Sequence, residues 1–199
     1  FVAVRVRSEH AHNTLRDVHA VLPPELAAAC VPASGAHITL AVMHADGQEG
    51  VEAALSAVRR VAGRVRAQRN GRAGVQARLR GLGHFRARVL FLRLERGDSA
   101  EQRLRELHEA LHEELTGVDK IGLAHTRFAP HVTIAKHSRM SGRRARRAPP
   151  LTPPESHANV DAGEVSFVEL ELCSMTMRKQ ADGYYHVFGS GELGGVDET

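Results

Sequence analysis

"GAHITLAVMH" (35–44) and "FAPHVTIAKH" (128–137) decide how this chain reads. Each places His-apolar-Thr-apolar inside a run otherwise fit for a buried strand. Residues two apart on a strand share a face. The first segment therefore offers Ile38, Leu40 and Val42 to a core and is expected to turn His37, Thr39, Ala41 and Met43 the other way. The second offers Val132 and Ile134 to a core, with His131, Thr133 and Ala135 opposite. The content of 13 His, with the observed Thr and apolar fractions, predicts about 0.1 such tetrapeptides by chance, and both segments carry one.

The residue types suit one chemistry. Histidine titrates nearest neutral pH, so two imidazoles facing each other across a cleft can act as general base and general acid. One takes the proton of an attacking hydroxyl or water, and the other protonates the departing oxygen. The Thr39 and Thr133 hydroxyls can donate to non-bridging phosphoryl oxygens as charge builds there. Phosphodiester cleavage needs this help, because its alkoxide leaving group is poor. No carboxylate neighbours His37 or His131 in sequence, so neither a metal nor another cofactor is expected.

Around these segments the pattern is α+β. FVAVRV (1–6) reads as a strand and Ser8 to Leu22 as a helix stopped by Pro23-Pro24. Asp46 and Glu49 suggest a capping box before a helix striped by Val51, Ala54, Leu55, Val58, Val61, Ala62 and Val65. Strands are expected at 75–82 and 87–95, joined around Gly83-His84-Phe85. A second helix should be capped by Ser99 and Gln102, lined by Leu104, Leu107, Leu111 and Leu115, and ended by Gly117. A strand at 130–136 carries the second signature, and 138–163 reads as a loop with an Arg cluster and prolines. VSFVELELCSM and YYHVFGSGEL look like a hairpin turning at Asp182-Gly183. Strand–helix–strand rhythm in both halves implies two related lobes.

Composition narrows the class. The 199 residues, 42% hydrophobic and 25% charged, fit one globular domain, and no apolar run is long enough to span a bilayer. The chain begins at Phe1 rather than Met and reads as a piece of a longer protein. Cys30 and Cys173 have no paired spacing, which suits a reducing compartment, cytoplasmic or nuclear, and two buried thiols packing as small hydrophobes. The net charge of +4 comes almost wholly from Arg, whose guanidinium fork suits phosphate. "KHSRMSGRRARR" (136–147) is a solvated loop, an RNA-backbone contact through residues such as Arg139, or a nuclear address. Phe85, Tyr184 and Tyr185 are candidates to stack on a base, although Tyr184 and Tyr185, as neighbours on a strand, cannot both face the cleft.

HITL and HVTI resemble the paired His-x-Thr/Ser-x signatures of the 2H phosphoesterase (LigT-like) superfamily. GLGHF, FAPHVTIAK and LCSMTMRKQADGYYH resemble, more narrowly, the central domain of the A-kinase anchoring proteins. The resemblance runs over residues 1–193, read as one domain of two lobes, leaving 194–199 as a tail. It implies a bilobal fold of antiparallel sheets and helices around a central cleft. It assigns acid/base roles to His37 and His131 and phosphate contacts to Thr39 and Thr133. It implies RNA-type substrates, 2′,5′-linked oligoadenylates or 2′,3′-cyclic phosphate ends, with nucleoside monophosphates as ligands. Phe85, Tyr185 and Arg139 are the expected substrate contacts. A monomer without membrane attachment is expected. The anchoring helix that names the narrower branch is not evident, so that role is not carried over. The alternative is a nucleotide- or RNA-binding module with little turnover.

Overall fold

The computed structural model describes residues 1–196 except 96, 98, 125 and 126, with the side chains of 143, 144 and 146 also outside the described set. Strand β1 (Val2–Arg5) leads to helix α1 (Glu9–Val21). The Ser8 side chain starts that helix by accepting the Ala11 N–H at 3.3 Å. Strands β2 (His37–Ala41) and β3 (Met43–Ala45) follow, then helix α2 (Gly47–Gln68). The expected capping box is absent: Asp46 makes no side-chain cap bond, and Glu49 turns instead to the ammonium of Lys120.

Strands β4 (Val75–Phe85) and β5 (Val89–Leu94) form a hairpin, followed by helix α3 (Ser99–Leu115). Ser99 is the first helical residue rather than the cap, and the cap position, residue 98, lies outside the described residues. Gly117, at φ 76°, ends the helix in the left-handed conformation expected of it. Strands β6 (Ile121–Leu123) and β7 (Val132–Lys136) come next, then the short helix α4 (Gly142–Arg147) inside the stretch expected to be loop. The chain closes with β8 (Asp161–Phe167), β9 (Glu169–Ser174) and β10 (His186–Glu192).

Two antiparallel four-stranded sheets result, ordered β10-β9-β1-β2 and β7-β5-β4-β8, with β3 and β6 as a separate ribbon. The expected single strand VSFVELELCSM is two strands, because the chain leaves one sheet for the other at exposed Val168. The expected strand 37–43 likewise breaks at Val42, so Met43 belongs to the ribbon and not to the His37 face. Helix α2 covers β9 and β10, α1 lies on β8, and α3 packs against β2, β4 and α2. Gly191 lets α2 settle on β10: a Cβ there would sit 2.7 Å from that of Ala62. Of the expected tail, Gly194 bridges Arg72 and Gly195 bonds Gly71, while 197–199 lie outside the described residues. No helix among the described residues is long and apolar enough to cross a membrane.

The signature strands β2 and β7 are the edge strands of their sheets, and they meet. Each carries a bulge at the same point. Across β1 and β2 the pairing steps from Ala3↔Thr39 to Val2↔Ala41, which leaves Leu40 extra. Across β5 and β7 it steps from Phe91↔Thr133 to Leu90↔Ala135, which leaves Ile134 extra. An extra residue shifts the alternation by one. Ala41 and Ala135, expected beside the imidazoles, are buried together with Leu40 and Ile134.

The β4–β5 hairpin turns later than Gly83-His84-Phe85. Gly83 pairs with Phe91 inside the ladder, where a Cβ would stand 2.7 Å from the Phe91 ring, so the glycine is there for space. The turn falls on Arg86 and Ala87, at φ 50° and 52°. Left-handed backbone costs a Cβ-bearing residue about 1–2 kcal/mol. Ala87→Gly should therefore raise stability in urea unfolding by about 0.5–1 kcal/mol. An unchanged or lower midpoint would show the turn to be unstrained.

Candidate active site

His37 opens β2 and His131 immediately precedes β7. Each ring is held in the same way. Nδ1 of His37 donates to the Gly35 carbonyl at 2.7 Å, and Nδ1 of His131 donates to the Ala129 carbonyl at 2.7 Å. A proton on Nδ1 leaves the lone pair on Nε2, so both rings present the same reactive atom. The Thr39 and Thr133 hydroxyls, half-buried two residues on, find no partner among the described residues.

Aromatic rings fix the outer sides of both imidazoles. Phe1 and Tyr185 lie 5.1 and 5.4 Å from the His37 ring, Tyr185 edge-on. Phe85 and Phe91 lie 5.0 and 5.1 Å from His131, Phe85 edge-on. Of the neighbouring tyrosines, Tyr184 is fully buried against Phe1, Ala3 and Cys173, and only Tyr185 borders the site. Cys173 is buried and its thiol pushed up to about 12, while Cys30 is half-buried rather than buried.

Burial pulls the His37 pKa down to about 4, against the opposing bond to Gly35 and with help from the charges of Lys136 and His131. His131 is lowered by burial too, and Lys136 adds to that. The two rings thus feel each other and share Lys136. Lys136 and Lys179 are both lowered, by burial first and by Arg139 second. Lys179 lies 4.8 Å over the Tyr185 ring. Among the described residues Lys136, Arg139 and Lys179 have no carboxylate partner. On α2 and just past its end, by contrast, Arg60, Arg66 and Arg69 are paired with Glu114, Glu192 and Glu106. Like charges gathered without counter-ions mark a place for an anion.

Beside His131 opens a cavity of about 790 Å³, walled by Phe85, Phe91 and Phe128 and fringed by Arg93, Arg105 and Arg127. Flat apolar walls with guanidinium groups at the rim suit a nucleoside. No group of three or more His, Cys, Asp or Glu is gathered for a metal ion among the described residues.

Of the residues expected from sequence, His37, Thr39 and Tyr185 stand on one side of the cleft and His131, Thr133 and Phe85 on the other. Arg139 follows β7 in a single turn, within electrostatic reach of Lys136, Lys179 and Tyr185. Sequence reasoning named Lys136 only as part of the basic stretch 136–147, and missed Lys179, Phe91 and Phe128. Lys136 and Phe128 flank the second signature within FAPHVTIAK, which was the available signal. Lys179 is distant in the chain, and its one signal was its place in LCSMTMRKQADGYYH, which carries the family resemblance.

The family pattern of the AKAP7 2′5′ RNA ligase-like domain matches residues 1–193. Human A-kinase anchor protein 7 isoform gamma is 28% identical over 171 residues, which is 85% of this chain and 49% of that protein. The chain thus spans about half the length of that curated relative. Among solved structures, Escherichia coli LigT in apo form superposes with a TM-score of 0.62 at 22% identity, covering 98% of this chain and 96% of that one. TT0787 of Thermus thermophilus gives 0.62 at 24% identity, covering 98% and 97%. LigT has also been solved with 3′-AMP and with ATP. Twin His-x-Thr strands, two sheets that meet along them and a pattern matched over residues 1–193 converge: the chain belongs to the AKAP7 2′5′ RNA ligase-like domain family, within the 2H phosphoesterases.

Proposed function

We propose that this domain cleaves phosphodiester bonds of RNA-type nucleotides, at 2′,5′ linkages or 2′,3′-cyclic phosphate ends, without a metal. The observation that carries the reading is the twinned pair of imidazoles, each fixed through Nδ1 with Nε2 left to react, beside a cluster of cations without carboxylate partners among the described residues. LigT, of the same fold, has been solved with 3′-AMP and ATP, which supports a nucleotide ligand here.

The chemistry balances with these groups alone. At a 2′,5′ bond the free 3′-hydroxyl attacks phosphorus while Nε2 of one histidine takes its proton. The other histidine, protonated, gives a proton to the departing 5′-oxygen, and a 2′,3′-cyclic phosphate is left. At a cyclic end, water replaces the 3′-hydroxyl and a monoester results. Thr39 and Thr133 donate to the non-bridging oxygens, and Lys136, Arg139 and Lys179 offset their charge. The nucleoside sits against Phe85, Phe91 and Phe128, and Tyr185 borders the opposite side.

Turnover should persist in EDTA. His37→Ala and His131→Ala should each lower kcat by about 10²–10⁴-fold while circular dichroism stays unchanged. Full activity in a folded variant would remove that histidine from the chemistry. Binding of 2′,5′-oligoadenylate and cyclic-phosphate RNA with no cleavage of either would leave a nucleotide-binding module instead.

The pH profile follows from the depressed pKa values. One imidazole must be neutral and the other protonated, so kcat/KM should be bell-shaped. The acid limb should rise from about pH 4, where His37 loses its proton. The basic limb should fall below the usual histidine range, because His131 is lowered as well. A maximum above pH 7 in kcat/KM would contradict this environment.

A further inference from the structure

Two histidines outside the cleft occupy matching places in the two halves. Helix α1 runs between β1 and β2, both in the first sheet, yet Nε2 of its His19 lies 3.0 Å from the Ile134 carbonyl of β7, in the second. Helix α3 follows β5, in the second sheet, yet Nδ1 of its His108 lies 2.7 Å from the Leu40 carbonyl of β2, in the first. Leu40 and Ile134 are the extra residues of the two bulges, each three places after its signature histidine. A bulge leaves its extra residue out of the ladder and changes the direction of the strand. Its aim then depends on whatever holds that carbonyl.

We infer that His19 and His108 are positioning residues, a crossed pair of braces in which each helix fixes the bulge of the opposite signature strand and so sets the approach of His131 and His37. The two braces differ in their surroundings. The Ile134 carbonyl also accepts the Val31 N–H at 2.8 Å, so His19 shares its task. His108 carries the larger burden, because its ring has a second contact besides the bond to the Leu40 carbonyl. The His108 ring further lies flat on Phe128, with centroids 4.4 Å apart and planes 11° apart, and Phe128 walls the nucleoside cavity. One side chain thus touches both the His37 strand and the wall beside His131.

The two contacts can be separated by chemistry. His108→Asn puts an amide N–H where Nδ1 was and loses the stacked ring, whereas His108→Phe keeps the ring and loses the bond. His19→Gln and His19→Phe do the same for a bond made through Nε2. With 2′,5′-linked diadenylate as substrate, His108→Phe should lower kcat about tenfold with little change in KM, because misaligned reacting groups cost rate more than affinity. His108→Asn should retain kcat within about twofold, and His19→Phe should lose only about threefold. Wild-type kcat in folded His108→Phe, or equal losses in the Phe and Asn variants, would overturn the brace. The inference rests on the proposed activity, so imidazole titration by NMR provides an independent readout. His108→Phe should raise the His37 pKa toward its ordinary value as the loosened strand admits water, and His108→Asn should not. An unmoved His37 pKa in His108→Phe would overturn the brace even if no phosphodiester is cut. If that pKa moves while wild type cuts nothing, the brace stands and the proposed activity falls.

Discussion

A single hydrogen bond, made twice, underlies the chemistry of this molecule: an imidazole Nδ1 donating to the carbonyl two residues before it. The bond is local, so any strand entered through this backbone geometry orients its histidine before the rest of the cleft exists. It also decides the tautomer, and the tautomer decides which nitrogen reacts. Burial then works against the charged ring, and the neighbouring lysine adds to that effect. In the proposed reaction an arriving phosphate, by supplying negative charge, would draw both rings back toward protonation, so that the ligand itself would complete the acid.

The surface around the site sorts its charges. Arg60, Arg64 and Arg66 on α2 are answered by glutamates, whereas Lys136, Arg139 and Lys179 stand together without acidic partners among the described residues. Gathering like charges costs stability, and the partial burial of Lys136 adds to that cost. Groups kept at such a cost beside two reactive imidazoles fit an anionic ligand better than a scaffold role.

Sequence made much of this legible, and its failures have physical causes. The His-x-Thr pairs were plain because polar residues interrupt apolar strands at the same spacing. The bulges were invisible because Leu40-Ala41 and Ile134-Ala135 are apolar on both sides of the slip, so hydropathy carries no phase there. Gly83 looked like a turn because a glycine making room for an aromatic ring and a glycine making a bend are spelled alike. VSFVELELCSM looked continuous because nothing but Val168 separates β8, which alternates between buried and exposed, from the buried β9. Lys179 and His108 join the site through tertiary contacts, to Tyr185 and to the Leu40 carbonyl, which are far from them in sequence or on another element.

The order of strands has a consequence for assembly. The first sheet takes β1 and β2 from one end of the described chain and β9 and β10 from the other, with the whole second sheet inserted between. As the polypeptide emerges during synthesis, His37 is made early yet waits unsupported until the closing strands, with Tyr185 just ahead of β10, arrive to wall it in. The second sheet has no such delay and can organise around His131 first. Maturation of the cleft is therefore asymmetric in time although its two halves mirror each other in space.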